Sequence, residues 1–547
     1  MPAFRPSVVL HDVAFAWPDG SPAIDHVSGA FDRGRTGLVG LNGVGKSTLL
    51  RIVAGDIVPT GGVVTSNGVV DYLPQNLTLR PHSTVADLLG VRGILDAILA
   101  IERGTIDQRL FDRVGDDGDV EARSIAALAS AGVDVADLDR RADTLSGGET
   151  MLTALVGVSL RRADIALLDE PTNNLDTDAR ERAYELVNGW RGTLIVVSHD
   201  VGLLELMDST AELRAGSLSV YGGPYSAYRE HVAAEQEAAE RALRSAEQTL
   251  KTEKRQRIQA EEKIAHSERQ GRKDVANRKY VKAVVNDRRN SAEKSQGSRR
   301  GILDDKVQGA REAVEQAESR VREDDRISIQ LPDPGVPRTR RIARLVGGDG
   351  REVLVQGPER IALTGPNGVG KTTLLQGVLR GTDASGHPFR HAPDEHCGDV
   401  ARARAEALVE RVGYLSQRLD GLDDARSALE NVQAAAPGVP AGELRNQLAR
   451  LLLRGPAADR PVGSLSGGER FRAALATLLL TSPPAQLLVL DEPTNNLDIP
   501  SVGQLTQALS AYRGALIVVS HDRAFLDGLD LTAELRLTAD GTLARVR

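Results

Sequence analysis

The sequence predicts an α/β fold used twice, as two tandem domains joined by an α-helical hairpin, and three observations carry that expectation. First, the chain repeats itself in order. Leu194-Ile-Val-Val-Ser-His-Asp200 returns as Leu516-Ile-Val-Val-Ser-His-Asp522, and Leu168-Asp-Glu-Pro-Thr-Asn-Asn-Leu-Asp176 returns as Leu490-Asp-Glu-Pro-Thr-Asn-Asn-Leu-Asp498, both 322 residues on. Such self-similarity at one spacing marks duplicated structural units. Second, short apolar runs (Thr36–Val39, Ile361–Thr364, Ile165–Asp169, Leu487–Asp491) have the length and composition of buried strands. Third, residues 229–269 contain no Gly or Pro and are rich in Ala, Glu, Gln, Lys and Arg, all strong helix formers. The expected layout is a first domain over 1–225, a charged helical hairpin over 226–335 and a second domain over 336–547.

Composition narrows the class. At 547 residues, with 41% hydrophobic and 26% charged residues, the chain has the balance of a folded protein with more than one core. A single cysteine, Cys397, excludes an internal disulfide, an iron-sulfur cluster and an all-cysteine zinc site. A reducing, cytoplasmic location is expected. Met1–His11 lacks the pattern of a signal peptide, and no apolar run reaches the roughly 18 residues of a membrane helix, so no membrane partner is expected of this chain itself. The net charge of −8 hides a basic stretch, 269–300, with eleven cations against three anions.

The hairpin follows from a heptad pattern. Leu303, Val307, Ala310, Val314, Ala317 and Val321 alternate spacings of four and three, a seam that needs a facing helix. Ala239, Leu243, Ala246 and Leu250 offer the matching stripe, which fades beyond Lys254. Some 40 residues at 1.5 Å rise give an antiparallel pair about 60 Å long, with the basic stretch at its far end.

The chemistry lies in the repeats. Gly40, Leu41, Asn42, Gly43, Val44, Gly45, Lys46, Ser47 and Thr48 match the phosphate loop, as do Gly365, Pro366, Asn367, Gly368, Val369, Gly370, Lys371, Thr372 and Thr373. Glycines let backbone N–H groups curl around phosphates, the lysine reaches the β and γ oxygens, and Ser47 or Thr372 offers a hydroxyl to Mg2+. Lysine usage agrees: the chain has ten lysines, eight of them between Lys251 and Lys306, and the other two are Lys46 and Lys371. An ammonium is retained where a compact cation must fit among phosphates. Each strand ending in Asp169-Glu170 or Asp491-Glu492 supplies two carboxylates, the aspartate suited to Mg2+ and the glutamate to the attacking water. Gln75 and Gln417 are candidates to touch metal and water, and His199 and His521 to touch the γ-phosphate. His387, His391, His396 and Cys397 lie among Gly, Pro and Asp and read as an ordinary loop.

With Leu-Ser-Gly-Gly-Glu at 145–149 and 465–469, these ordered motifs resemble the ATP-binding cassette superfamily over nearly all of both domains. The resemblance implies cassettes that close head to tail within one chain, a monomer with intramolecular pairing. Each ATP would then lie between one phosphate loop and the other cassette's signature, Ser466, Gly467 and Gly468 facing Lys46, and Ser146, Gly147 and Gly148 facing Lys371. The duplicated Pro-Thr-Asn-Asn-Leu-Asp, the charged linker and Tyr221-Gly-Gly-Pro-Tyr225-Ser-Ala-Tyr228 resemble the ABC-F subfamily, whose members act on the ribosome. That resemblance implies a linker reaching through the tRNA exit site toward the peptidyl-transferase centre, contacting rRNA and tRNA. The RNA-contact candidates are Arg272, Lys273, Arg278, Lys279, Tyr280, Lys282, Arg288, Arg289, Arg299 and Arg300. The expected function is a ribosome-binding ATPase released by hydrolysis, a translation or antibiotic-protection factor; the alternative is the ATP-hydrolysing subunit of a transporter with a separate permease. Trp17 occupies the position where the family stacks adenine on an aromatic, whereas residues 326–364 contain no Phe, Tyr or Trp, so unequal ATP sites are expected.

Overall fold

The computed structural model describes residues 8–75, 77, 82–173, 175–214, 216–276, 301–321, 331–379, 403–416, 421–495 and 497–546. The chain divides into two compact units, one holding residues 1–225 and 325–547, the other residues 226–324.

The first unit contains two cassettes of the same topology. In the first, a six-stranded sheet runs in the order Val70–Leu73, Ile165–Asp169, Thr193–Val197, Gly34–Val39, Ser209–Arg214, Ser217–Gly222. All neighbours are parallel except the last pair. The second repeats it as Val412–Leu415, Leu487–Asp491, Ala515–Val519, Arg360–Thr364, Ala533–Leu537, Leu543–Arg545, again antiparallel only at the last pair. Ile165–Asp169, Thr193–Val197, Leu487–Asp491 and Ala515–Val519 are buried at every residue. Their unbroken apolar composition follows from having both faces covered. A three-stranded antiparallel sheet completes each cassette, ordered Pro22–Phe31, Val8–Ala16, Gly61–Ser66 in the first and Glu352–Gln356, Arg341–Val346, Arg404–Ala407 in the second. Leu38, Leu49, Leu50, Ile165 and Ile195 anchor the core beneath the first phosphate loop, and Leu363, Leu374, Leu375, Leu487 and Ile517 the second.

The second unit contains most of the helix Tyr225–Ala276 and a helix over 301–318. Val307, Ala310 and Ala317 are buried, on the seam predicted from the heptads. The facing stripe does not stop at Lys254: Leu250, Glu253, Arg257, Ala260 and Ile264 continue the four-three spacing as half-buried or buried positions. Two charged residues belong to it because long side chains cover apolar surface with their stems. Arg257 Nη1 also meets Asp304 Oδ1 of the other helix at 3.3 Å. Arg272 and Lys273 lie in the backbone of the first helix. Arg278, Lys279, Tyr280, Lys282, Arg288, Arg289, Arg299 and Arg300 lie outside the described residues, as do Gln417, His387, His391, His396 and Cys397.

Candidate functional site

Each phosphate loop joins a central strand to a helix that begins at its lysine, Lys46–Ala54 or Lys371–Leu379. Gly40, Gly43 and Gly45 take φ of 153°, 81° and 100°, and Gly365, Gly368 and Gly370 take 144°, 79° and 94°. At Gly40 and Gly365 a side chain is excluded twice over, because a Cβ would come within 2.4 Å of Leu213 O and 2.3 Å of Leu537 O. The lysines are folded back under their loops. Lys46 Nζ donates to Gly40 O (2.7 Å) and Leu41 O (3.1 Å), and Lys371 Nζ to Gly365 O (2.7 Å) and Pro366 O (3.0 Å). Burial lowers both ammonium pKa values, opposed by carboxylates that include Asp498 at Lys46 and Asp176 at Lys371, each from the opposite cassette.

Asp169 and Asp491 end their strands next to these loops. Ser47 Oγ donates to Asp169 Oδ1 at 3.1 Å and Tyr72 Oη to its Oδ2 at 3.3 Å. Thr372 hydrogen-bonds Asp491, whose Oδ2 lies 3.5 Å from Tyr414 Oη. Burial raises the pKa of both aspartates against these hydrogen bonds and the lysines. A hydroxyl and a carboxylate at each site form an all-oxygen donor set, the chemistry that suits Mg2+. Gln75 is half-buried two residues beyond Val70–Leu73, the strand paired with Ile165–Asp169.

The glutamates show a feature that the motif alone does not reveal. Glu170 and Glu492 have φ of 51° and 47°, in the left-handed region that costs a non-glycine residue about 1 kcal/mol or more. Hydrogen bonds impose it: Glu170 N donates to Val197 O (2.8 Å) and Glu492 N to Val519 O (2.9 Å), while Asn173 N and Asn495 N each close back on the glutamate carbonyl at 3.2 Å. The side chains then turn to His199 and His521. His199 Nε2 is 3.2 Å from Glu170 Oε1 and His521 Nε2 is 3.3 Å from Glu492 Oε1. These contacts are within ion-pair distance, yet the imidazoles are neutral at physiological pH. Burial, reinforced by the lysine of each site and by Arg180 at the second, pushes His199 down to about 3 and His521 down to about 4. Burial pushes Glu170 up to about 8 and Glu492 up to about 7, with the lysines pulling the other way. Lys371 Nζ additionally lies 3.1 Å from His521 Nε2. Among the described residues Glu492 Oε1 is a buried oxygen without a hydrogen bond.

The cassettes meet through reciprocal contacts absent from the sequence prediction. Asn42 N, in the first phosphate loop, donates to Asp498 Oδ2 at 3.0 Å, and Asn367 N, in the second, donates to Asp176 Oδ2 at 3.2 Å. With its other oxygen each aspartate caps its own helix, Asp176 accepting from Ala179 N and Asp498 from Ser501 N, both at 3.0 Å. The signal lay in the sequence: Pro-Thr-Asn-Asn-Leu-Asp ends on the same residue in both copies. Arg180 Nη1 adds a bond to His521 O across the same boundary at 3.2 Å.

The signature serines start the helices Gly147–Arg161 and Gly467–Leu479 as capping boxes, Ser146 with Glu149 and Ser466 with Glu469. These contacts are within each cassette. Trp17 projects at the end of Val8–Ala16, 39% exposed, edge-on to Phe15 with centroids 5.1 Å apart. At the corresponding place the second cassette has the turn Gly347–Gly350, closed by Gly350 N to Gly347 O at 2.9 Å.

Comparison with known proteins agrees with this architecture. The family profile described as "ABC transporter" matches residues 24–173 and 352–495. The chain is 34% identical to the tylosin resistance ATP-binding protein TlrC of Streptomyces fradiae, covering 94% of each chain. It is 30% identical to ABC transporter F family member 5 of Arabidopsis thaliana, over 90% of this chain and 69% of that protein. The probable ATP-binding protein YheS of Escherichia coli K12 is also 30% identical, over 92% and 74%. Among solved structures, the archaeal ribosome recycling factor aABCE1, in complex with the stalk protein aP1, matches 96% of this chain and 87% of its own. Its TM-score of 0.50 at 20% identity supports the fold alone. Two phosphate loops, two strand-end carboxylate pairs, two signatures and these matches together place the chain in the ATP-binding cassette superfamily, as an ATPase of the ABC-F subfamily.

Proposed function

We propose that this chain is a ribosome-binding ATPase whose two cassettes close on two ATP molecules, hold the ribosome-bound form, and release it on hydrolysis. The reciprocal bonds Asn42–Asp498 and Asn367–Asp176 are the observation that carries this proposal, because they tie each phosphate loop to the opposite cassette. An ATP seated on Lys46 is then completed by Ser466 and Gly468, and one on Lys371 by Ser146 and Gly148. Gly40–Thr48 and Gly365–Thr373 wrap the phosphates with backbone N–H groups, and the lysines neutralise them. Ser47, Asp169 and Gln75 would hold Mg2+ at the first site, and Thr372, Asp491 and Gln417 at the second. There Mg2+ would supply positive charge to the phosphate oxygens. Glu170 and Glu492, fixed by their strained backbone, orient water and accept its proton, and His199 and His521 contact the γ-phosphate.

The ribosome enters through sequence and relatives. The 269–300 stretch, with eleven cations and Tyr280, suits RNA phosphates and one unpaired base, in rRNA and tRNA near the exit site and the peptidyl-transferase centre. The tylosin resistance relative, similar over 94% of each chain, supports the protection form of this activity. Among the described residues no helix is long and apolar enough to cross a membrane. Sedimentation with ribosomes tests the proposal. The Glu170→Gln, Glu492→Gln double variant with ATP is expected to pellet with ribosomes, while wild type with ADP stays in the supernatant. Equal pelleting of both, or of neither, overturns it.

A further inference from the structure

Arg180 breaks the symmetry between the two ATP sites. The offset of 322 aligns Arg180 and Tyr184 with Val502 and Thr506, while Asp200 aligns with Asp522. Only the first cassette therefore carries a cation at this place, one turn beyond the Asp176 that receives Asn367 of the other cassette. Its guanidinium is held at home and used abroad. Nε lies 3.4 Å from Asp200 Oδ2, and Asp200 is itself fixed by Tyr184 Oη, 2.7 Å from both carboxylate oxygens. Nη1 crosses to the second cassette and donates to His521 O. The side chains of Arg180 and Asp200 are only 17% and 9% exposed, so solvent screens this arrangement weakly.

The carbonyl that Arg180 grips belongs to the residue whose ring touches both Lys371 Nζ and the Glu492 carboxylate. At the first site the position equivalent to Arg180 is Val502, an apolar residue whose side chain has no donor to offer the His199 carbonyl. Resting on the assignment of Glu492 and His521 to the second ATP site, we propose that Arg180 is a positioning residue supplied in trans. It orients His521, and through it Glu492, only while the cassettes are closed. Hydrolysis at the second site is thereby tied to closure more strictly than hydrolysis at the first. Asp200 keeps its place without Arg180 because Tyr184 and the N–H of Leu203 still bind it.

Single-turnover hydrolysis in the full chain tests this, with Glu170→Gln leaving only the second site competent and Glu492→Gln only the first. Arg180→Ala is expected to lower the rate constant at the second site about ten-fold at saturating ATP, with half-saturation unchanged within about two-fold. The first site should keep its rate within about two-fold. Arg180→Lys, which retains a cationic donor, should recover part of the second-site loss. Should Arg180→Ala melt early, Arg180→Met keeps the bulk without a donor, and the same second-site bias is expected of it. Equal losses at both sites would make Arg180 a plain interface contact and overturn the proposal, as would an unchanged second site. If Glu492→Gln alone fails to stop one site, the assignment of Glu492 falls too, a result distinct from a site-blind loss on Arg180 substitution.

Discussion

Glu170 and Glu492 concentrate the most chemistry in the fewest atoms, since each combines a left-handed backbone with a histidine contact, on a buried side chain at Glu170 and a half-buried one at Glu492. Replacing both by glutamine keeps shape and removes the proton acceptor. Turnover should fall by a factor of about 10² to 10⁴ while ATP binding persists, measured by phosphate release and by equilibrium binding. Trp17 predicts a second asymmetry. With the second site disabled by Lys371→Ala, Trp17→Ala should weaken ATP binding several-fold, about 1 kcal/mol, and with the first site disabled by Lys46→Ala it should have no effect. Equal affinities at the two sites, with Trp17→Ala silent, would contradict it. The phosphate loops, Asp169, Asp491 and the two glutamates were legible in the sequence because each motif is short and fixes its own geometry. The positive φ of Glu170 and Glu492 was not, because hydrogen bonds to Val197 and Val519 on neighbouring strands impose it. Arg180 was hidden for the same reason: its partner lies 341 residues away.

At the scale of elements, two helix starts act as inter-cassette clasps. Asp176 and Asp498 each cap a helix and receive a phosphate-loop N–H from the opposite cassette. Substituting either by alanine removes a cap, about 1 kcal/mol, and the inter-cassette bond together. Melting temperature should drop by a few degrees and ATP-driven closure should weaken, the latter read by a fluorophore pair, one on each cassette. A distance change on ATP addition identical to wild type would exclude the clasp. The Asp498 clasp is also acid-sensitive. Burial raises its carboxyl pKa, but hydrogen bonds from Ser501 and from Asn42 N outweigh burial and hold it below the ordinary 3.8. A depressed folded-state value contributes stability above the unfolded value and loses it as pH falls through the folded one. The difference in stability between wild type and Asp498→Asn should therefore shrink as pH drops below about 3.8, followed by denaturant melts. The linker illustrates where pattern reading stops. Ala239, Leu243, Ala246 and Leu250 announced the seam, but Glu253 and Arg257 concealed its continuation, since a charged name hides an aliphatic stem.

Across the whole molecule, duplication was the most legible property, because an offset of 322 residues needs no structure to be seen. Duplication also underlies the proposed mechanism: on that reading one chain would carry both halves of two composite sites, and two ATP molecules would close it without a partner subunit. The proposal stands or falls on whether this closure is used on RNA, with the 269–300 stretch as the contact. A salt titration of ribosome binding tests it most directly. It uses the Glu170→Gln, Glu492→Gln chain with ATP, with and without neutralisation of Arg278, Lys279, Lys282, Arg288 and Arg289 to glutamine. Weaker binding is expected for the neutralised chain, with a slope of log affinity against log salt shallower by up to about 4 units, since fewer counterions are released. ATP binding should be equal in the two. Coincident titration curves, with ATP binding intact in both, would contradict the claim.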